Sequence, residues 1–493
     1  MQDNRPHWLN LFSLEPRIKT LHLTWIAFFV SFIVWFNHAP LIAAMRTSLR
    51  LTDQEVAALL ILNVALTIPA RIVIGMLVDK FGPRLMFSLL LAVSGALCFP
   101  FALANDFATL ALSRFLLAIV GAGFVVGIRM IGEWFPAKET GLAQGIYAGF
   151  GNFGSAAAAV SLPTIALLVG GDEGWRWAVG TTGVIAIIYA VIFYISARDT
   201  PKGSTYFSPK KMGAMEVSTR RDFFLYVALQ IPLVLSMALL AWKMGPANLK
   251  LLSPLITNII YTGLVGLFAY QVADGFRINR PMLAGNPVPA LQQYKFRQVA
   301  ILSLSYFVTF GSELAVVSVL PLLFKDTFGL SLAFAGFVGA SFGATTFFAR
   351  PAGGGLSDRF GRRKLMLICM LGTAAGYLAM SSINVNTGVV FGVLVTLACS
   401  LFVNAGNGAV YAMLPLIKRR LTGQIAGIVG AFGNVGGVLF LTLYSFVTPQ
   451  TFFLTAAATA FTGWALIYWF VEEPKGQIAE EMPDGSVTMI DVS

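Results

Sequence analysis

Apolar residues in this chain gather into long runs between short polar loops, from His22 to Val471. At ~1.5 Å per residue each run can cross ~30 Å of hydrocarbon as a helix. None shows the ten-residue alternation of a barrel strand. The pattern predicts spans near 22–45, 55–78, 85–104, 107–132, 141–168 and 175–197, then near 298–324, 332–356, 364–383, 387–414, 421–446 and 450–471. Two further runs, near 223–242 and 251–273, lie between the groups on either side of the polar "KMGPANLK". The expected fold is an all-α integral membrane protein of two six-helix bundles with a two-helix insert. The expected divisions are 1–197, a linker at 198–296 holding a hairpin at about 223–273, a second bundle at 297–471, and an acidic tail at 472–493.

Composition agrees with the pattern. Of 493 residues, 57% are hydrophobic and 12% charged, with mean hydropathy +0.76, far from an ordinary soluble domain. Charge then sets an orientation. With the amino terminus in the cytoplasm, outer segments hold only Arg46, Arg50, Arg176, Lys243, Lys250 and Lys325, and the spans hold Arg71, Arg114, Arg129 and Arg350. The rest of the 34 basic residues face inward, which places both termini in the cytoplasm of a cell-membrane protein. Topology thus explains most of the net +11, and nucleic-acid binding is not expected. The first run is longer than a signal-peptide core and is read as an uncleaved span. Cys98, Cys369 and Cys399 fall in spans without metal-ligand spacing, so no metal or cofactor is expected. No catalytic constellation is present, and the chain is read as not an enzyme.

The two groups of spans are duplicates. "TGLAQGIYAGFGNFG" from Thr140 and "TGQIAGIVGAFGNVG" from Thr422 share eight of fifteen positions. "ARIVIGMLVDKFGPR" from Ala70 and "ARPAGGGLSDRFGRR" from Ala349 share an Arg, a Gly and the loop Asp-(Lys/Arg)-Phe-Gly-x-Arg. Repeated bundles around a central site are the plan of secondary transporters. An ionised side chain at mid-membrane costs at least ~2.5 kcal/mol and needs a partner or a cavity. Arg71 and Arg350 occupy equivalent places near the midplane, and neither helix offers an acid to compensate them. An anion is the natural partner. Arg129 has Glu133 one turn on, so an intrahelical ion pair accounts for it. Glycines three or four apart, such as Gly145, Gly149, Gly151, Gly427 and Gly433, leave a smooth strip for close helix packing and sliding.

The Gly-x3-Asp-(Lys/Arg)-Phe-Gly-x-Arg loops and "RFLLAIVGAG" at Arg114 resemble the signatures of the major facilitator superfamily. The paired FGN-x-G motifs and paired arginines look like its nitrate/nitrite porters, especially the cyanobacterial and other bacterial nitrate permeases. This resemblance implies that Arg71 and Arg350 bind the anion, that Asn152 and Asn434 donate to it or brace the arginines, and that Tyr306 and Phe310 of "YFVTFGS" line it. Phe124 is a further wall candidate. Asp79, Arg84, Asp358 and Arg363 are read as gate or hinge contacts, along with the signature glycines.

Bringing a monoanion into a negative interior costs about 2.3 kcal/mol per 100 mV, so uptake needs coupling. Glu313, then Glu133 and His38, are the candidate proton carriers. The expectation is nitrate and nitrite transport by a protein that functions as a monomer in the lipid bilayer, as proton symport. Nitrate/nitrite antiport, an organic monocarboxylate facilitator and an anion channel or sensor are the alternatives.

Overall fold

The structure is a computed structural model. It describes the chain except residues 1–9, 171–172, 210–212, 287, 290–292, 331–340, 474–475, 482–486 and 492–493. Among the described residues, thirteen helices are long and apolar enough to cross a membrane. Most match the expected runs within a few residues, as Arg220–Met244 of the insert does, but the second insert helix, Pro254–Leu283, runs ten residues past the end expected near 273. The run near 332–356 lies partly outside the described residues, and Thr346–Phe360 continues it.

Several spans are interrupted, and the interruptions shape the site. The second breaks at Leu66, between Asp53–Ala65 and Thr67–Phe81. The fourth relaxes into a 3₁₀ stretch, Ala118–Ala122, between Phe107–Leu117 and Gly123–Trp134. Such a stretch frees carbonyls from the regular α-helical ladder. Thr67 takes that of Ala118 at 2.7 Å, and Arg71 takes that of Gly121.

Each arginine-bearing helix, Thr67–Phe81 and Thr346–Phe360, ends on a glycine with positive φ, Gly82 at 85° and Gly361 at 96°. An L side chain is strained there, so the glycine lets the chain turn sharply into the next span. This is the local reason for the Phe-Gly in both loops.

The halves meet through a crossed pairing. The signature helix Ala137–Asn152 packs along Thr346–Phe360 of the other half, and Thr422–Tyr444 packs along Thr67–Phe81. In the insert, Arg220–Met244 rests on Phe296–Phe328 and Thr422–Tyr444. Leu255, Val265 and Tyr270 of the second insert helix remain exposed, as suits a lipid-facing surface. The tail adds an element not foreseen from its acidity: an antiparallel pair, Gln477–Glu481 with Val487–Asp491, with Ile478 opposite Ile490.

Candidate functional site

Arg71 and Arg350 are both about 1% exposed, and they converge on one aromatic ring from opposite halves. Each guanidinium carbon stands 5.5 Å from the centroid of Phe310. Arg71 is also 5.5 Å from the Phe124 ring and 5.9 Å from that of Trp35. These are cation–π distances, and the rings shield the charges from lipid.

The rings form a column across the molecule. Tyr147, Phe124, Tyr306 and Phe310 stack in sequence, with centroids 6.1, 6.3 and 4.9 Å apart and planes within 14°. Tyr411 stands edge-on to Phe124 and Tyr306, at 4.5 and 4.6 Å. Tyr147 and Phe124 come from the first half, and the others from the second. The column therefore ties the two halves at the level of the arginines.

The arginines differ in their partners. Arg71 donates to two backbone carbonyls, Gly430 at 2.6 Å and Gly121 at 3.2 Å, and no carboxylate pairs with it among the described residues. Arg350 pairs with Glu313 at 2.8 Å, donates through Nε to Asn404 at 3.4 Å, and reaches the Asn152 side-chain oxygen at 2.6 and 3.2 Å with that amide turned toward it. The same Glu313 oxygen accepts from Asn407 Nδ2 at 2.7 Å. The expectation of two arginines without an acid is thus corrected. The compensating carboxylate sits on Phe296–Phe328, 37 residues before Arg350, where a search along the arginine helices alone does not find it.

The other candidates separate into groups. Asn434 is fully buried, yet neither of its amide atoms has a hydrogen-bond partner among the described residues. Its counterpart Asn152 does contact Arg350, so the repeat is not symmetric here. Glu133 lies away from the arginine pair: it bonds Arg129 at 3.1 Å and Arg419 at 3.3 Å, near Asp79. His38 is buried in yet another cluster, beside Asn37 and near Arg114. Arg114 itself is held by Asn63, Trp35 and Asn37.

At the loop end, Asp79 accepts from the backbone N–H groups of Gly423 and Gln424, both at 2.8 Å, in the first turn of Thr422–Tyr444. A carboxylate there is favoured by the helix dipole. It also pairs with Arg129 at 3.2 Å, and Arg129 bonds the Arg419 carbonyl across the halves. Asp358 mirrors it, accepting from Leu142 N–H at 2.9 Å, while Arg362 bonds Asp358 at 3.0 Å and the Ala137 carbonyl at 2.5 Å. Arg84 and Arg363 do not cross between the halves. Arg84 bonds Tyr194 and Asp199, and Arg363 bonds Tyr468 and Glu473, each within its own half. At the loop ends, the arginines that cross between the halves among the described residues are Arg129, Arg362 and Arg419.

The signature glycines divide in the same way. A Cβ on Gly145, Gly149 or Gly427 would stand 2.5–2.8 Å from a backbone carbonyl of the opposite arginine helix. One on Gly151 would meet the Phe28 ring, and one on Gly433 would meet Tyr306 and Phe310, so these two face rings of their own half. Tyr147, Tyr411, Asn404 and Asn407 were missed from the sequence. The amides of "NAGNG" carried the same signal as those of the FGN motifs, polar groups three residues apart in an apolar run.

Comparison with known proteins places this geometry in context. The chain matches the Major Facilitator Superfamily over residues 24–290 and 302–487. It is 43% identical over 475 residues to the nitrate/nitrite transporter NrtP of Nostoc punctiforme, covering 95% of each chain. It is 41% identical over 512 residues to NrtP of a Picosynechococcus species, covering 95% of this chain and 96% of that one. Among solved structures it resembles the transporter FucP in its outward conformation, with TM-score 0.64 and 13% identity, covering 93% of this chain and 100% of that one; this shows the fold. The chain belongs to the Major Facilitator Superfamily and, within it, to the family of the cyanobacterial nitrate/nitrite transporters.

Proposed function

We propose that this protein carries nitrate and nitrite across the cell membrane by alternating access, with both termini in the cytoplasm and uptake coupled to protons. One observation carries the reading: two buried guanidinium groups, one from each half, flank a single ring, and one of them has no carboxylate partner among the described residues. The names of the relatives supply the anion. Guanidinium is planar and weakly hydrated, and its paired N–H groups suit the flat, two-oxygen edge of nitrate or nitrite. Asn434, one helical turn on from the Gly430 carbonyl that Arg71 holds, adds an amide without a partner among the described residues. The bonds at Asp79, Asp358, Arg129, Arg362 and Arg419 then form the cytoplasmic gate, closed in this conformation. This makes the protein a carrier that exposes one side at a time.

Proton coupling is favoured over exchange by Glu313. Exchange draws its strength from an empty carrier trapped by two uncompensated arginines, and Glu313 leaves only one. It is a buried acid bonded to Arg350 at 2.8 Å and to Asn407 at 2.7 Å. The test is labelled-nitrate uptake into vesicles, with either an inward proton gradient or internal nitrite. Uptake driven by the proton gradient supports symport. Uptake seen only with preloaded nitrite assigns exchange, and no saturable uptake in either condition defeats the reading.

A further inference from the structure

We infer that Glu313 is a charge filter: by cancelling one of the two chamber arginines, it restricts the site to monoanions and rejects dianions of similar size and donor requirement, such as sulfate. The inference rests on the proposed anion site between Arg71 and Arg350, and it concerns which anions that site accepts.

Two bare guanidinium groups would welcome a dianion as readily as a monoanion, and planar fit alone would have to discriminate. The chamber is not built that way. Glu313 is bonded to Arg350 at 2.8 Å and held there by Asn407 at 2.7 Å, and both acid and arginine are almost wholly buried. The formal charge of the chamber is therefore +1. A monoanion brings it to neutrality, whereas a dianion leaves an uncompensated negative charge in a dry interior, the outcome that buried sites tolerate least.

The donors point the same way. Arg350 spends its donors on Glu313, Asn152 and Asn404, so a second charged oxygen pair finds few of them free. Among the described residues, Arg71 donates to two carbonyls and the Asn434 amide has no partner. The available donors gather on the Arg71 side, enough for one flat anion. Asn407 is a positioning residue in this scheme, since it touches the filter and not the anion.

The test compares the full-length protein with Glu313→Gln and Glu313→Asp, each purified in lipid nanodiscs, with nitrate and sulfate titrated calorimetrically. Wild-type protein is expected to bind nitrate and to be indifferent to sulfate. Glu313→Gln keeps the shape and removes the charge, so sulfate affinity is expected to rise at least about 100-fold, with nitrate retained or tightened. Glu313→Asp keeps the charge and is expected to keep sulfate out. A Glu313→Gln protein that binds nitrate but still refuses sulfate overturns the filter, as does one that binds neither, because deleting the filter must raise anion affinity. Nitrate binding that survives Arg71→Lys unchanged would instead overturn the site reading on which the filter depends.

Discussion

Gly145 lies so close to Arg350 that a Cβ there would stand 2.5 Å from the arginine's backbone carbonyl, and Gly427 faces the carbonyl of Arg71 across 2.6 Å in the same way. Each signature helix is thus packed on the helix that holds the other half's arginine. Backbone cannot yield as a side-chain tip can, so Gly145→Ala or Gly427→Ala must push the halves apart. Both are expected to reach the membrane and to lose most nitrate uptake, at least about tenfold, for a shift of over about 1.4 kcal/mol. Gly180→Ala, where a Cβ meets nothing within 4 Å, is the matched control and should transport normally.

Arg71→Lys and Arg350→Lys keep a positive charge but lose the planar fork. Lysine at 71 cannot hold both the Gly121 and Gly430 carbonyls and still present a donor pair. Uptake by either variant is expected to fall to background at normal membrane abundance. Arg350→Lys carries a second effect, because Glu313 and Asn152 lose a shared partner. Its thermal stability in detergent should therefore drop further than that of Arg71→Lys.

Asp79→Asn tests the loop-end gate. The side chain is buried and serves two backbone N–H groups and Arg129, and neutralising one member of a buried pair costs about 3–5 kcal/mol. The closed gate should open more often. A cysteine at Gln424, in a protein whose native cysteines are all buried, is expected to react with a small maleimide faster in Asp79→Asn than in its parent. An equal or slower rate would remove Asp79 from the gate.

Much of this architecture was legible in the sequence for physical reasons. A span must satisfy its backbone internally, so runs of apolar residues announce helices almost without context. Duplication then related Arg71 to Arg350 and Asp79 to Asp358, and those pairs occupy matching places. What the sequence hid is what depends on contacts between distant spans. Glu313 could be singled out as an intramembrane acid, but its bond to Arg350 joins separate helices. Glu133 and His38 were drawn toward the site, and Arg84 and Arg363 toward the gate, by their chemistry alone; the packing sets Glu133 against Arg129 and Arg419 and takes the other three elsewhere. The column of Tyr147, Phe124, Tyr306 and Phe310 was hidden for another reason: 41 phenylalanines make any single aromatic residue uninformative until its neighbours are known.

Asn434 offers a test that separates binding from structure. A buried amide without hydrogen bonds costs about 1–3 kcal/mol, and an apolar replacement of similar size removes that penalty. Asn434 makes no hydrogen bond to the described protein, so Asn434→Leu is expected to melt at a higher temperature than wild type when no anion is present. Its KM for nitrate should rise about tenfold or more, because a donor to the anion is gone. Asn152→Leu, by contrast, removes an acceptor from both terminal nitrogens of Arg350, and should destabilise the empty protein. Opposite thermal shifts from two asparagines at equivalent repeat positions would mark Asn434 as kept for the anion and Asn152 as kept for the arginine. Shifts of the same sign would mean that the two serve packing alike.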